Sequence, residues 1–398
     1  MKQSFPRRPW LALAAAASLS LAFSAPAQAD DYKWPRMLVI GTPGTQGATF
    51  ASTNGWAPLL QKDSGMTVRI VPEDNELQRS RRLTERKDIQ LSSVTGSEMR
   101  SQLEGIGGYA ALKAQPQRII WHHADTPWGL VTSGKSDFKT MEDLKKGGVR
   151  VVDGVFSPTI TKVVREGLPA YLDIPADQVA QMITYVPASN YPESCRAVVE
   201  GKADVAYCTA VSSVLSEMEG APGGIRWIGM PIEDTAAWER YLEVRPDAIP
   251  GTIELGVSTA RGVPGAISNF LYSASPDLDE DLVYNLVKWL HTSYDSYKVT
   301  HPLSTRMSLD IFRGYLDRTP YPVHPGTIKY LREIDAWSDA DDQSNAAAIA
   351  RMDQWIAARQ VALDEAAKAK VKPDFQDPAF MEIFKKHTDG LEIFRSRL

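Results

Sequence analysis

Cysteine and histidine are scarce in this sequence of 398 residues, which contains two cysteines and six histidines. Only His122 and His123 are close together in the sequence, and adjacent residues of a strand face opposite sides of a sheet. A metal ion shared between these two side chains is therefore not expected. We predict a protein that holds neither a metal nor a cofactor.

Signatures of catalysis are also lacking. The sequence contains no Gly-x-Ser-x-Gly turn, in which a hydrolase presents its nucleophile, and no His-Glu-x-x-His helix of a zinc protease. No nucleophile and base stand out as a pair. The sequence therefore does not predict an enzyme.

Hydrophobic runs that could cross a membrane are absent after the first thirty residues, because no later segment reaches the ~18 apolar residues that a spanning helix needs. The N-terminal segment has the features of an export signal. Lys2, Arg7 and Arg8 precede an apolar run that extends from Trp10 to Phe23. The mature protein is therefore expected in the periplasm and not embedded in the membrane.

The predicted cleavage site follows Ala27-Gln28-Ala29, a small-x-small pattern, so that the mature chain begins near Asp30. No cysteine lies there to carry a lipid anchor. The segment from Arg7 to Leu11 also resembles a twin-arginine signal. Both the general secretory route and the twin-arginine route remain open.

Positive charge is not in excess in the mature chain. The signal contains three of the 44 basic residues and no acidic residue, which leaves 41 bases against 49 acids and a net charge of −8. Nucleic acids and anionic membrane surfaces attract basic proteins. We therefore expect neither of them as a partner.

Short apolar strands alternate with helical segments from residue 37 onward, which predicts an α/β fold with parallel sheets covered by helices. The alternation occurs in two runs, near residues 36–125 and 128–226, and indicates two doubly wound domains. Residues 118–133 read as two strands broken at Asp125-Thr126-Pro127, and hinge crossovers are expected near 125–128 and 228–234. The predicted boundaries are 1–29 for a signal peptide, 30–126 and 229–337 for domain I, 127–228 for domain II and 338–398 for a C-terminal helical extension.

The C-terminal extension is predicted to contain two helices. Ser344 caps a long helix that ends near Lys370, and Asp377 with Pro378 begins a second, shorter helix. These helices are expected to lie on the outside of the globule. A brace and a docking surface for a partner are both open as their role.

Cys195 and Cys208, the two cysteines, are expected in an oxidising compartment. Cys195 falls in the first turn of a helix predicted over 191–200, and Cys208 ends a strand predicted over 203–208. A helix start lies near the end of the strand that follows it, so the two thiols could form a disulfide. Two buried free thiols are the alternative.

A phosphate-loop pattern is present but does not fit its context. Residues 129–136, Gly-Leu-Val-Thr-Ser-Gly-Lys-Ser, match the Walker A motif letter for letter. A phosphate loop must be an irregular segment between a strand and a helix. Leu130 to Thr132 is apolar and β-branched, which predicts a strand, and we interpret the match as coincidental.

The segment Gly41 to Phe50 is the strongest candidate for a binding loop. It follows the first predicted strand and opens the first helix, where glycine N–H groups and the helix N-terminus suit a carboxylate or a phosphate. Polar residues also follow other predicted strands. In open parallel sheets, ligands bind at these carboxyl ends of the strands.

Several landmarks of the sequence resemble the TAXI family, the solute-binding proteins of TRAP transporters. They are the loop 41–50, the Gly-Lys-x-Asp element within 199–206, the segment 140–147 that opens the second domain, and residues 249–252 and 319–327. The resemblance covers about residues 36–335. It implies the two-domain fold of type II periplasmic binding proteins.

The resemblance further implies capture of a small organic solute, often a carboxylate or an amino acid, and its delivery to a membrane permease. The residues expected to line the ligand site are Thr42, Gly44, Thr45, Gln46, Gly47, Thr49, Phe50, Thr95, Phe156, Ser157, Thr159, Ser189, Asn190 and Thr209. Trp128 and Tyr191 are further aromatic residues expected near the cleft.

Charged residues after the second strand depart from the family pattern. Glu73 and Asp74 would oppose an anion and favour a ligand amine if they face the cleft, or they could cap a solvated helix. Arg79, Arg81 and Arg82 could neutralise these acids, bind a carboxylate or lie at the surface. All of these alternatives are open.

Two rival functions share this scaffold. One is a binding protein that serves a sensor or an ABC permease. The other is an extracytoplasmic enzyme, since a fold does not determine a function. Perturbed carboxylates at Glu73, Asp74 or Asp153 would favour the enzyme.

Overall fold

The protein is described by a computed structural model that covers residues 32–397. The predicted signal peptide lies outside these residues. The strands are β1 (Met37–Thr42), β2 (Thr67–Pro72), β3 (Leu91–Thr95), β4 (Arg118–Ser133), β5 (Val149–Gly154), β6 (Ile183–Ala188), β7 (Ala206–Thr209), β8 (Ile225–Ile228), β9 (Ile249–Thr252) and β10 (Pro264–Ala274).

Sixteen α-helices among residues 32–397 connect or follow these strands. They are α1 (Ala48–Ser64), α2 (Glu76–Thr84), α3 (Gly96–Glu104), α4 (Met141–Leu144), α5 (Pro158–Lys162), α6 (Leu168–Leu172), α7 (Val179–Met182), α8 (Tyr191–Arg196), α9 (Ser213–Glu219), α10 (Thr235–Val244), α11 (Glu280–Thr292), α12 (Tyr294–Tyr297), α13 (Leu309–Leu316), α14 (Pro325–Glu333), α15 (Asp339–Lys368) and α16 (Pro378–Thr388). Short 3₁₀ turns occupy Gly107–Ala111 and Pro302–Arg306, and a π-helical turn at Val163–Gly167 joins α5 to α6.

The main sheet is mixed rather than wholly parallel. Its strand order is β2-β1-β3-β10-β4-β7, with β8 paired to β4 and β9 paired to β10. β1 runs parallel to β2 and β3, whereas β10 runs antiparallel to β3 and β4. β5 and β6 form a separate parallel pair. The prediction of parallel sheets is thus met at β1–β3 and β5–β6 but not in the long central strands.

β4 and β10 are those long strands, and they pair antiparallel as neighbours in the main sheet. β4 is continuous, and the predicted break at Asp125-Thr126-Pro127 is wrong. Pro127 pairs with Ile267 of β10, and strand pairing continues on both sides of it. A proline is tolerated in a strand where its nitrogen need not donate to the neighbouring strand.

Two apolar clusters define two lobes. The first lobe is built on β1–β3, and its cluster includes Leu38, Trp56 and Trp121. The second lobe is built on β5–β7, and its cluster includes Val151 and Val205. We use these two names below.

The second cluster extends further along the chain than the predicted second domain. It includes Trp238, Tyr241 and Ile253, which follow the predicted boundary at residue 228. The chain therefore returns to the first lobe through β10, whereas the crossover was expected at residues 228–234. The second lobe extends past residue 228 because α10, which lies in a stretch rich in turn residues, packs its apolar face on α6.

The predicted α/β fold with a C-terminal helical extension is confirmed. The long helix α15 begins at Asp339, earlier than expected, because Ser338 and Asp341 form a reciprocal capping box. α15 packs on α3 and α16. Arg359 of α15 is buried and donates hydrogen bonds to the carbonyl oxygens of Gln102, Leu103, Tyr109 and Leu112.

The would-be phosphate loop is a strand, as expected, since Leu130 to Thr132 lie within β4. Among residues 32–397, no helix combines the length and apolarity needed to cross a membrane. The same part of the chain contains no cluster of three or more histidine, cysteine or acidic side chains that could hold a metal ion.

Candidate functional site

A cavity lies between the two lobes, where the carboxyl ends of β1, β2, β5 and β7 meet above β4 and β10. Its empty volume is about 470 Å³, including the part that opens to solvent. The residues that line it are Pro43, Gly47, Ala48, Thr49, Asp74, Arg79, Thr126, Trp128, Phe156, Ile160, Tyr191, Thr209 and Phe270. Strand ends at the edge of an open sheet are the usual place for a ligand in this fold class.

Aromatic rings form much of the cavity wall. Trp128 and Phe270 come from the central strands, whereas Phe156 and Tyr191 come from the second lobe. Trp128 and Tyr191 meet edge to face, with their ring centroids 6.2 Å apart. The Tyr191 hydroxyl accepts from the Thr209 N–H at 2.9 Å and lies 3.0 Å from the Ser212 Oγ, which fixes the ring in place.

Several buried polar atoms of the lining residues have no hydrogen-bond partner among residues 32–397. These atoms are the hydroxyl oxygens of Thr49, Thr126 and Thr209, the indole nitrogen of Trp128 and Nε of Arg79. A buried polar group without a partner costs ~1–3 kcal/mol. These five atoms belong to residues that line one cavity, where a molecule in the cavity could supply the missing partners.

The predicted binding loop contributes less than expected. Gly47 and Thr49 line the cavity, but the Gly44 N–H donates to Asp74 Oδ1 at 2.7 Å, and a Cβ at Gly44 would collide with that carboxylate. The Gly47 N–H donates to the Gly44 carbonyl oxygen at 2.8 Å. Both glycine N–H groups therefore have partners within the chain.

The other predicted ligand residues of the loop do not line the cavity. Thr42 is buried and donates to the Pro43 carbonyl oxygen, Thr45 is exposed, and Phe50 is half-buried. Gln46 connects the lobes, because its Oε1 accepts from Arg196 of the second lobe at 3.1 Å.

Ser157 and Thr159, predicted ligand residues of the second lobe, bind a carboxylate of the first lobe. Ser157 Oγ donates to Glu76 Oε1 at 2.5 Å, and Thr159 Oγ1 donates to Glu76 Oε2 at 3.1 Å. Glu76 is 8% exposed, and burial raises the pKa of its carboxyl group, a shift that the hydrogen bonds from Ser157 and Thr159 oppose. This contact, which we call the Glu76 latch, holds the lobes together.

The remaining predicted residues also serve local structure, except for two. Thr95 caps α3, and Asn190 caps α8 by accepting from the Glu193 N–H at 2.9 Å. The exposed Ser189 donates its N–H to the Glu193 carboxylate at 2.8 Å. Phe156 and Thr209 do line the cavity.

Arg79 lies beside the cavity in a buried charge cluster. Its guanidinium pairs with Glu98 at 2.6 Å and donates to the Glu73 carbonyl oxygen at 2.5 Å. Burial lowers the pKa of Arg79, but Glu98 and then Glu76 outweigh this effect and raise it. Burial raises the pKa of Glu98 to about 8 against the opposing charge of Arg79.

The other charged residues of this region are arranged differently. Burial raises the pKa of Asp74, while the Gly44 N–H and Arg79 oppose the shift. Arg82 pairs with Asp88, and Arg81 lies within 3.9 Å of Glu85, both away from the cavity lining.

Cys195 and Cys208 form a disulfide with their Cα atoms 6.1 Å apart. It joins α8, which carries Tyr191, to the end of β7, where Cys208 directly precedes Thr209, the last residue of the strand. The bond therefore fixes two segments that line the cavity.

A second contact between the lobes surrounds Asp247. Asp247 accepts from Ser97 of the first lobe, and Arg245 donates to the same Ser97 hydroxyl. Arg100 of the first lobe also donates to the Val244 carbonyl oxygen at 3.2 Å. Together with the Glu76 latch, this contact joins the two lobes by hydrogen bonds at two places.

Some lining residues were not predicted from the sequence. Thr126 and Phe270 lie on the central strands, and Ile160 lies on α5. The apolar run of β10 was a usable signal for Phe270, but it follows a Pro- and Gly-rich stretch and was not assigned to a strand. Glu76 and Glu98 carry no local motif that distinguishes them from surface acids of a helix.

The model of the NMT1-like family matches residues 40–334. The chain belongs to the NMT1-like family. The match spans both lobes and ends before α15. None of the curated proteins compared with the chain matches it.

Solved structures similar to this member of the NMT1-like family include periplasmic binding protein BugD, which is 11% identical and has a TM-score of 0.45. The alignment covers 85% of this chain and 99% of BugD. PhnD1 from Prochlorococcus marinus (MIT 9301), solved with methylphosphonate, is 11% identical and has a TM-score of 0.45. The alignment covers 76% of this chain and 100% of PhnD1. The substrate-binding protein of an amino acid ABC transporter is 10% identical and has a TM-score of 0.40. The alignment covers 66% of this chain and 96% of that protein.

Proposed function

We propose that this protein is an extracytoplasmic solute receptor that encloses a small organic molecule between its lobes and delivers it to a membrane permease. The observation that carries this proposal is the cavity at the strand ends, where unpartnered polar atoms of Thr49, Thr126, Thr209 and Trp128 surround a space lined by aromatic rings. A cavity of this kind binds a ligand by shape and by a few placed hydrogen bonds.

Hinge closure is the proposed mechanism of capture. β4 and β10 are the long strands that connect the lobes, so bending within them opens the cavity. The Glu76 latch and the contact around Asp247 close it again. A ligand that bridges both walls then favours the closed arrangement by its differential affinity for that state.

The proposed compartment is the periplasm. The basic and apolar N-terminal segment supports export. The disulfide between Cys195 and Cys208 fits an oxidising environment.

The experiment that tests the receptor is a thermal-shift screen of residues 30–398, stripped of ligand by unfolding and refolding. A ligand at ~100 times its Kd contributes ~2.7 kcal/mol, which raises Tm by about 3–5 °C in a chain of this size. The proposal expects a hit that mass spectrometry recovers unchanged. A hit that is converted to a product would favour the enzyme, and no hit among cations, acids and neutral compounds would contradict the receptor.

We further propose a TRAP-type permease as the partner, on the basis of the landmarks within residues 36–335. Uptake into proteoliposomes that contain the TRAP membrane subunits and the loaded receptor tests this. Transport that requires an ion gradient and no ATP would support the proposal. Transport only with an ABC permease and ATP would contradict it.

A further inference from the structure

The chemical class of the ligand can be inferred from how the chain fills its own anion-binding positions. This inference rests on the proposed function as a solute receptor. An anionic ligand would need free N–H and hydroxyl donors at a loop or at a helix N-terminus. Four of the predicted positions of that kind are occupied by a carboxylate of the protein itself, whereas the start of α1 carries no acidic residue.

The occupying carboxylates come from four different residues. Asp74 accepts from the loop at Gly44, and Glu76 accepts from Ser157 at the start of α5. Glu98 lies in the first turn of α3 and Glu193 in that of α8, where it accepts from the Ser189 N–H. A ligand carboxylate at any of these four positions would have to displace the group that is already there.

Acidic side chains outnumber basic side chains at the cavity. Asp74 and Arg79 are the charged residues among those that line it. Arg79 is already paired with Glu98 at 2.6 Å, and the Glu76 carboxyl lies in the same cluster. Three carboxyl groups, those of Asp74, Glu76 and Glu98, therefore lie near one guanidinium group.

Aromatic rings line the cavity beside these carboxyl groups. The rings of Trp128, Phe156, Tyr191 and Phe270 line the cavity together with Asp74. The face of an aromatic ring attracts a cation, and desolvation strengthens this attraction. Aromatic rings next to a carboxylate are the combination by which proteins recognise amines and quaternary ammonium groups.

We propose that the ligand is a small organic cation, with its amine or quaternary ammonium group near Asp74 and its apolar part among the rings of Trp128, Phe156, Tyr191 and Phe270. The unpartnered indole N–H of Trp128 and the Thr49 and Thr209 hydroxyls bind an uncharged acceptor of the same molecule, such as a hydroxyl or carbonyl oxygen.

The test compares probes of equal shape and different charge by isothermal titration calorimetry on the refolded mature chain. One set is choline, its neutral isostere 3,3-dimethylbutanol, and 3,3-dimethylbutanoate. A second set is 2-phenylethylamine, 2-phenylethanol and 3-phenylpropanoate. The proposal expects the cation of at least one set to bind at least about tenfold more tightly than its neutral and anionic counterparts.

Asp74→Asn is the decisive variant. The amide oxygen can still accept from the Gly44 N–H, so the loop keeps its hydrogen bond while the charge is removed. Affinity for the cation should fall roughly 10- to 100-fold. Asp88→Asn is the matched control, because it removes one carboxylate of the same lobe that is paired with Arg82 and does not line the cavity, and it should leave affinity unchanged.

Failure of the ligand class and failure of the receptor give different results. If a carboxylate probe binds more tightly than its cation, or if Asp74→Asn leaves cation affinity unchanged, the ligand class is wrong and the receptor stands. If every probe and the whole thermal-shift panel are silent, the receptor itself is contradicted and the inference falls with it.

Discussion

Removal of the Glu76 latch should open the protein in the absence of ligand. The Glu76 carboxylate of the first lobe accepts from Ser157 Oγ at 2.5 Å and from Thr159 Oγ1 at 3.1 Å, both in the second lobe. Glu76→Ala deletes both hydrogen bonds, together with the longer contact from the Thr159 N–H to Oε2 at 3.5 Å, and leaves two buried hydroxyl groups without this partner. Neither lobe loses a large apolar side chain, so each should remain folded.

The size of the effect follows from these two bonds. Hydrogen bonds to a charged acceptor can contribute more than ~1.5 kcal/mol each, but burial penalises this carboxylate, as its raised pKa indicates. We therefore assign about 1–1.5 kcal/mol to each bond. A loss of about 2–3 kcal/mol shifts the ratio of closed to open molecules by about 30- to 150-fold.

Small-angle X-ray scattering of the ligand-free protein measures this shift as a larger radius of gyration. Glu76→Gln, which keeps one amide oxygen as an acceptor, should give a smaller opening. Glu85→Ala, at the exposed end of the same helix, is the control and should scatter like the native protein. Identical scattering curves for Glu76→Ala and the native chain would refute the latch.

Three further predictions concern stability and are each measured by urea unfolding. Replacing Cys195 and Cys208 by serine should lower the free energy of unfolding by about 3 kcal/mol, because the disulfide closes a loop with a sequence separation of 13; a native chain in reductant should match the variant, and an unchanged midpoint would contradict this. Arg359→Met should lower the free energy of unfolding by about 3–5 kcal/mol, because four backbone carbonyl groups lose the guanidinium group as their donor. A decrease of less than about 1 kcal/mol would contradict this and show that water replaces the guanidinium group. Burial lowers the pKa of His123 to about 3, below its usual 6.5. Between these two values the unfolded chain binds a proton that the folded chain does not, so the free energy of unfolding falls as the pH decreases from 6.5 towards 3. His123→Phe should reduce this loss by about 2–3 kcal/mol at pH 4.5, and equal losses in both proteins would contradict the assignment.

The secondary structure could be predicted well because it depends on local patterns. Strands β1, β2 and β5 and the caps at Thr140 and Asp377 lie where apolar alternation and helix-start residues indicate. The continuous strand β4 was missed because the proline rule treats Pro127 as a break. Its tolerance depends on the partner strand β10, which is distant in the sequence.

The site was predicted at the level of strand ends but not of contacts. Gly47, Thr49, Phe156 and Thr209 line the cavity because the edge of a sheet collects the ends of its strands. Ser157 contacts a carboxylate 81 residues away in the sequence, and no spacing rule indicates such a pairing. Polar residues at a helix start attract a protein carboxylate as readily as a ligand, and only the structure distinguishes the two.

The account's central claim is that the cavity between the lobes holds a small molecule that the protein does not alter. Mass spectrometry of the compounds released when natively purified protein is denatured tests this most directly. The account predicts one dominant compound in a nearly equimolar amount, which rebinds the refolded chain, raises its Tm and is recovered unchanged after incubation. Release of no compound, together with a silent ligand screen, or conversion of the compound to a product, would contradict it.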